Sequence, residues 1–95
     1  MELRKTRDYQ RRFQALADER ARARIRVAVR RMEDGNFGDC RGVGGGVMDS
    51  RIHYGPGYRI YFTARGRQLV VLLLCGDKAT QARDIAWAVQ LANQL

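Results

Sequence analysis

Four polar side chains in the middle of the chain have types and spacing that could support chemistry on a phosphate. Arg51 and His53 alternate along one strand-like run, and Arg59 and Tyr61 alternate along the next, with a Gly-Pro-Gly turn between the runs. Alternate residues of a strand point to one face of a sheet. If the two runs pair around the turn, the four side chains become cross-strand neighbours on a single surface.

The chemistry that this surface suits is metal-independent RNA cleavage, in which a ribose 2′-hydroxyl attacks its own phosphorus and a cyclic phosphate forms. Histidine ionises near neutral pH, so His53 is the natural general acid or base, although an ordinary exposed strand histidine would look the same. Arg51 and Arg59 supply cations for the charged phosphorane, and Lys78, just past a third run, could reach the rim. Aromatic rings for splayed RNA bases come from Tyr54 and Tyr61.

The surroundings of this surface are strongly basic. The 95 residues include 18 Lys and Arg against 10 Asp and Glu, a net charge of +8, and nearly all of the bases are arginine. Eleven bases precede residue 32 and face only four acids there, which leaves +7 in the first third of the chain. Such a segment suits a polyanion, because bases that neutralise phosphates release counterions. A solvated helix face or an acidic protein partner would satisfy the same charge.

Most of these N-terminal bases fall on one predicted helix. Asp18 is a suitable N-cap, the pattern runs to about Met32, and Gly35 ends the helix. Its core-facing arc holds five apolar residues, Ala21, Ile25, Ala28, Val29 and Met32. Val27 is the single large apolar residue outside that arc. The remaining surface carries the predicted RNA-binding residues, Arg20, Arg22, Arg24, Arg26, Arg30 and Arg31.

The rest of the pattern predicts a single α+β domain over residues 1–95. Residues 2–6 form a weak edge strand, and a first helix starts at Asp8. A glycine-dense connection over 35–46 is followed by three predicted strands, 47–54, 58–64 and 69–75, and by a last helix from about Thr80 to Gln94. Short connections favour an antiparallel meander, in which the apolar third strand is covered on both faces.

The last helix has an apolar surface wider than a small sheet can cover. Its predicted core stripe is Ile85, Val89 and Ala92. Trp87 and Leu91, with the terminal Leu95, extend this stripe around the helix. Trp87 and Leu91 are therefore candidate partner-binding residues, although a well-buried terminal helix would show the same pattern.

The composition argues against several classes of protein. No apolar run approaches the length of a membrane span, and the charged start of the chain, MELRKTRDYQ, lacks the apolar stretch of a signal peptide. We therefore expect a cytoplasmic protein with no membrane partner. Cys40 and Cys75 lie in unrelated contexts and predict free thiols. A single histidine, with no CxxC or HxxxH spacing, predicts no metal site and no cofactor.

Two sequence blocks resemble a known family. The segment RIHYGPGYRIYF at 51–62, followed by LLLCGDKATQARDI at 72–85, is similar to the RelE/ParE toxin superfamily. More narrowly, it is similar to the HigB-like branch of "addiction module killer proteins". The upstream segment 18–41 resembles the helix and turn of that branch, so the resemblance covers nearly the whole chain.

The resemblance implies both a fold and an activity. The fold has two N-terminal helices packed on a small antiparallel β-sheet, with a further C-terminal helix. The activity is that of a toxin in a type II toxin–antitoxin system, a ribosome-dependent mRNA endoribonuclease that arrests translation. The implied partners are the ribosome, mRNA and a cognate antitoxin, usually a helix-turn-helix protein.

The resemblance also assigns site residues. The family's phosphate-binding arginine, in its GYR block, falls on Arg59, and its basic residue after the last strand falls on Lys78. The basic positions before the turn correspond to Arg51 and His53. RelE itself has a tyrosine in its C-terminal segment that takes part in cleavage, and the nearest matching position here is Asp84.

Two other functions fit the same superfamily. A ParE-like inhibitor of DNA gyrase needs no acid–base pair, so His53, Arg59 and Lys78 favour the nuclease. A catalytically inactive RNA-binding member would agree with the missing tyrosine. We expect an acidic antitoxin to meet the arginine-rich helices, with the surface of Trp87 and Leu91 as the alternative.

Overall fold

The computed structural model describes the whole chain, residues 1–95, as an α+β fold of three helices and five strands. Strand β1 (Glu2–Lys5) is followed by helices α1 (Arg7–Ala15) and α2 (Glu19–Glu33). Four strands come next, β2 (Asp39–Gly44), β3 (Val47–Ile52), β4 (Tyr58–Arg65) and β5 (Leu69–Asp77). One 3₁₀ turn then leads into helix α3 (Gln81–Asn93).

The five strands form a single mixed sheet in the order β1-β5-β4-β3-β2. Strands β2 to β5 are an antiparallel meander, as the short connections predicted. The prediction of a wholly antiparallel sheet is wrong at one edge, where β1 pairs in parallel with β5 and Leu3 lies opposite Val70. A parallel pair needs a long crossover, and here the crossover contains both N-terminal helices and the rest of the meander.

Strand β2 lies inside the segment that the sequence predicted to be a glycine-dense connection. Glycine interrupts the alternation by which a strand is recognised, and the register with β3 shifts between Gly42 and Gly44. The β2–β3 turn also needs glycine. Gly45 has a φ of +62°, and a Cβ added there would lie 2.7 Å from Cγ1 of Val89 on α3.

The helices cover both faces of the sheet. On one face Tyr9 of α1 and Ile25 of α2 join a core with alternate residues of β4, Tyr58, Ile60 and Phe62. On the other face Ala88 and Ala92 of α3 join a second core that includes Tyr61. The arrangement of the two N-terminal helices differs from the expected one, because α1 lies over β5 whereas α2 lies beside β3.

Local sequence determines where α2 begins and ends, as predicted. The Asp18 carboxylate accepts hydrogen bonds from the backbone N–H groups of Arg20 and Ala21, at 2.9 and 3.2 Å. Gly35 follows the helix with a φ of +84°, the left-handed conformation typical of a helix stop.

The buried face of α3 is rotated from the predicted one. Ile85 and Val89 are only half-buried, whereas Ala88 and Ala92 are buried together with the carboxylate of Asp84. The helical pattern predicted the wrong buried face because a charged residue such as Asp84 is not expected in a core. Nη2 of Arg12, from α1, pairs with Oδ1 of Asp84 at 3.0 Å, and Thr80 Oγ1 donates to Oδ2 at 2.7 Å.

Three further features of the chain bear on its chemistry. No helix is both long and apolar enough to cross a bilayer. Both cysteines are free thiols, as predicted, with Cys75 buried and Cys40 half-buried. No group of three or more His, Cys, Asp or Glu side chains is placed to hold a metal ion.

Candidate functional site

Strands β3 and β4 pair around the Gly-Pro-Gly turn and place Arg51 directly opposite Arg59. The predicted pairing of these strands is therefore confirmed. In the same register Asp49 lies opposite Tyr61, so these four side chains share the α3-facing side of the sheet. His53 follows the last residue of β3 and lies at the end of this row.

Arg59 is an internal residue. Only 8% of it is exposed, and its Nη1 donates to Oδ2 of the fully buried Asp49 at 3.2 Å. Arg41 of β2 approaches the same carboxylate oxygen at 3.6 Å. A buried carboxylate needs such a partner to remain charged, so Arg59 is committed to Asp49 in this structure. The arginine that the sequence predicted to bind phosphate therefore lies beneath the surface rather than on it.

Asp39 of β2 links Arg51 to His53. Arg51 Nη2 donates to Oδ1 at 2.9 Å, and His53 Nε2 lies 2.8 Å from Oδ2. The hydrogen bond with His53, and next the one from Arg51, lower the pKa of the Asp39 carboxyl. An ionised Asp39 favours the histidine tautomer with its proton on Nε2, which leaves Nδ1 free to accept a proton.

Sequence reasoning missed Asp39 because it missed β2. The register places Asp39 directly opposite Arg51. A strand assigned at 39–44 would have brought this carboxylate to the predicted surface. Asp49 was also missed, since a buried aspartate cannot be distinguished from an exposed one by its position in an alternating run.

Four basic side chains line a cleft of about 600 Å³ around the Gly-Pro-Gly turn: Arg51, His53, Arg59 and Lys78. The side chain of His53 is 75% exposed, which leaves its free ring nitrogen accessible to a ligand. Lys78 is exposed and packs against the turn at Gly57, whose φ is +83°. Arg59 is the least exposed of the four, at 8%. The structure thus brings the four predicted catalytic residues to one place but gives them unequal access to solvent.

A groove of about 800 Å³ lies between α2 and β3 and shares Arg51, Ile52 and His53 with the cleft. Its α2 wall carries half of the predicted RNA-binding arginines, Arg20, Arg24 and Arg31.

The other three predicted RNA-binding arginines lie outside the groove. Arg22 donates to the backbone oxygen of Leu16 and lies 3.6 Å from Glu19, so it belongs to the α1–α2 connection. The guanidinium of Arg26 lies 5.2 Å from the centre of the Phe13 ring. Arg30 is exposed and makes no ion pair.

The two candidate stacking tyrosines have opposite environments. Tyr54 is half-buried, with the Arg24 guanidinium 4.7 Å from its ring centre and its hydroxyl donating to Asp18 Oδ2 at 3.0 Å. Tyr61 is fully buried, and burial raises the pKa of its phenol to about 12. Its ring therefore cannot stack on an RNA base in this fold, which corrects the expectation for Tyr61. The cause is α3, which covers that face of the sheet.

The candidate partner-binding surface on α3 is small. Trp87 is 36% exposed, and the Arg12 guanidinium lies 5.2 Å from its ring centre. Leu91 is half-buried and packs at the edge of the α3 core, and Leu95 is exposed. Part of the apolar surface that the sequence predicted to be left uncovered on this helix is thus buried within the fold.

Residues 11–94 match the family model described as "Phage derived protein Gp49-like (DUF891)". The chain belongs to this Gp49-like family. The family is one of addiction-module toxins related to RelE-type toxins, so the predicted relationship to RelE is confirmed at this level. Membership of the Gp49-like family implies a cognate antitoxin as partner.

One curated relative of the Gp49-like chain comes from Haemophilus influenzae. It is described as an uncharacterized protein and is 45% identical over 76 residues, which span 80% of this chain and 77% of the relative. No solved structure matches the chain.

Proposed function

We propose that this Gp49-like toxin is a ribosome-dependent mRNA endoribonuclease of the HigB-like type, neutralised by a helix-turn-helix antitoxin. The observation that carries the proposal is the hydrogen-bonded row Arg51–Asp39–His53 at the mouth of a cleft that Lys78 also lines. This row combines an oriented imidazole with cations around one space large enough for a nucleotide phosphate. Acid–base chemistry on RNA requires this combination.

Each group has a distinct role in the proposed reaction. Nδ1 of His53 accepts the proton of the ribose 2′-hydroxyl, whose oxygen then attacks phosphorus to form a 2′,3′-cyclic phosphate. The bond from phosphorus to the 5′-oxygen breaks, and the ammonium of Lys78 supplies a proton to that leaving oxygen. Arg51 lies beside His53 and stabilises the charge that develops on the phosphorane.

Arg59 acts in this proposal as a positioning residue. It lies opposite Arg51 and is held by Asp49, so it supports the cleft floor without contacting substrate. Nε of Arg51 and Nε of Arg59 make no hydrogen bond within the protein, and both add positive potential beneath the cleft. Replacing Arg59 would leave the buried Asp49 with only the longer, 3.6 Å contact to Arg41, so the loss of Arg59 cannot separate catalysis from folding.

The decisive variants are therefore His53→Ala and Asp39→Asn, compared with Arg67→Ala, an exposed arginine with no ion pair in the β4–β5 turn. Each protein would be induced in a host lacking the antitoxin, with growth and the 5′ ends of cellular mRNA followed together. We expect His53→Ala to reduce cleavage by about 10²-fold or more and Asp39→Asn by more than about tenfold. Arg67→Ala should behave like the unmodified toxin.

Three results would contradict the proposal. Growth arrest with intact mRNA and altered DNA topology would indicate a gyrase inhibitor. The absence of arrest from a folded, abundant protein would indicate an inactive RNA-binding member. Undiminished cleavage by His53→Ala would remove the acid–base role while leaving an endoribonuclease.

A further inference from the structure

The arginines that face the groove form one stripe along α2. Arg20, Arg24 and Arg31 are separated by four and seven residues, the spacing of a single helix face. At about 1.5 Å per residue the stripe is about 17 Å long, enough for a few nucleotides of an extended strand. None of the three makes an ion pair with a carboxylate of the protein, so their charge is available to a ligand.

The groove is continuous with the candidate catalytic cleft. Arg51, Ile52 and His53 line both, so a strand bound with its phosphate beside His53 extends directly towards α2. Asp39 is the one acidic residue that lines the groove, and its carboxylate is already engaged by Arg51 and His53. The groove therefore presents an almost uninterrupted positive wall to an anionic ligand.

Apolar groups lie between these charges. Val27 is 49% exposed in the middle of the stripe, and Ala23 and Ile52 also line the groove. Their surfaces can contact the faces of unstacked bases, which a duplex conceals. At the junction with the cleft, the Arg24 guanidinium lies 4.7 Å from the Tyr54 ring centre, and a guanidinium plane is a surface on which bases stack.

We infer that this groove is a binding track for single-stranded RNA, which holds the nucleotides on one side of the scissile phosphate through Arg20, Arg24 and Arg31. The inference rests on the proposed nuclease function for the position of that phosphate. It divides the basic helix into two parts. Arg22 and Arg26 serve the fold, and the groove stripe binds substrate.

The test compares two triple variants of the full chain that lose the same charge. Arg20, Arg24 and Arg31 become glutamine in one, and Arg11, Arg30 and Arg67 in the other. The control residues are exposed, lie outside the groove and make no hydrogen bond or ion pair. Affinity would be measured by fluorescence anisotropy over a range of salt concentrations. The probes are a short mixed-sequence RNA, 2′-O-methylated to prevent cleavage, and its duplex.

The groove variant should bind the single strand at least about tenfold more weakly, and its salt dependence should fall by a slope of about 2, since each contact on a single strand contributes roughly 0.7. The control variant should stay within about threefold of the unmodified protein, and the duplex should bind more weakly than the single strand. Equal losses in both triple variants, or none in either, would overturn the inference. If neither triple variant loses affinity, the groove would instead be assigned to a protein partner.

A single substitution keeps the test valid if a triple variant folds poorly. Val27→Glu places a negative charge in the groove at an exposed helical position, and Ala82→Glu does the same at an exposed position on α3. Only Val27→Glu should weaken RNA binding. Weaker binding by the groove variants would thus support the RNA-binding groove even if the protein cleaves no RNA. Cleavage of RNA with no weakening of binding would refute the RNA-binding groove but not the proposed nuclease function.

Discussion

At the residue scale, burial gives two neighbouring arginines different roles. Arg51 and Arg59 are cross-strand partners, and the sequence pattern predicts the same exposed position for both. Arg51 pairs with the exposed Asp39 and retains access to the cleft, whereas Arg59 pairs with the buried Asp49. A surface pair exchanges readily with water or a ligand, while separating a buried pair leaves an uncompensated charge. Arg51 can therefore contact substrate, and Arg59 holds the strands that present it.

The two cysteines should differ sharply in reactivity. Burial raises the pKa of the Cys75 thiol to about 12, so thiolate is scarce there at neutral pH, and Cys40 on the edge strand β2 is half-buried. We expect an aromatic disulfide reagent to modify one thiol rapidly in the native protein and both after unfolding. Cys40→Ser should abolish the rapid phase. Rapid modification that persists in Cys40→Ser would show that β5 is not covered as described.

At the element scale, a buried ion pair fastens α3 to the rest of the fold. The Asp84 carboxylate of α3 forms an ion pair with Arg12 of α1. Arg12 Nη1 also donates to the backbone oxygen of Cys75 on β5 at 3.2 Å. Gly76 allows this approach, because a Cβ added there would overlap Asp84 Oδ2. At the other end of α3, Arg65 donates to the backbone oxygen of Ala92 at 3.0 Å. The position that resembles RelE's tyrosine therefore serves structure here.

Removing the Asp84 carboxylate should accordingly destabilise the protein. Asp84→Ala leaves Arg12 without its partner and Thr80 without its acceptor, and we expect a loss of about 2–4 kcal/mol, less than for a fully buried pair because Arg12 is partly exposed. Urea denaturation would measure the change. Arg83→Ala, at the exposed neighbouring position, should cost less than about 0.5 kcal/mol. Equal effects of the two substitutions would show that the pair does not hold α3.

At the scale of the whole molecule, charge is distributed unequally around the sheet. The +7 that the sequence assigns to the first 31 residues is carried largely by α2, beside the end of the sheet where the cleft opens. The face under α3 is instead fastened by internal ion pairs, Arg12 with Asp84 and Arg59 with Asp49. The surface along α2 therefore attracts polyanions, whereas these two arginines are neutralised within the fold.

The carboxylates with lowered pKa values predict acid instability. The pKa of Asp18 is lowered chiefly by the backbone hydrogen bond from Ala21, and that of Asp39 chiefly by His53. A group whose pKa is lower in the folded state stabilises the fold above its unfolded value, here 3.8, and loses that contribution as pH falls through the folded value. We expect the melting temperature to fall as the pH drops below about 4.

The Asp18→Asn/Asp39→Asn double variant tests this dependence. Asparagine keeps an oxygen that can cap α2 but does not titrate, so the variant should be less stable at neutral pH and less sensitive to acid. Melting temperatures from neutral pH to pH 3 would be compared with those of the unmodified chain. Parallel curves for the two proteins would assign the acid sensitivity to other carboxylates.

The sequence by itself determined the local features of this protein. The N-cap at Asp18, the stop at Gly35 and the β3–β4 hairpin depend on residues close in the chain, so spacing and residue type suffice to predict them. The excess of arginine before residue 32 is likewise a property of composition, and the ordered GYR and GDK blocks identified the RelE-related toxins.

Only the tertiary structure decided which of those residues are accessible and what they contact. Strand β2 and the parallel edge strand β1 form through pairing with distant partners, which no local pattern encodes. That pairing brings Asp39 to His53, and the packing of α3 buries Tyr61 and Asp84. Burial distinguishes Arg59 from its cross-strand partner Arg51, and the position of α2 beside β3 selects three arginines out of six. Burial and long-range pairing depend on how the elements assemble, so an alternating or helical pattern can show that side chains share a face but not whether that face meets water.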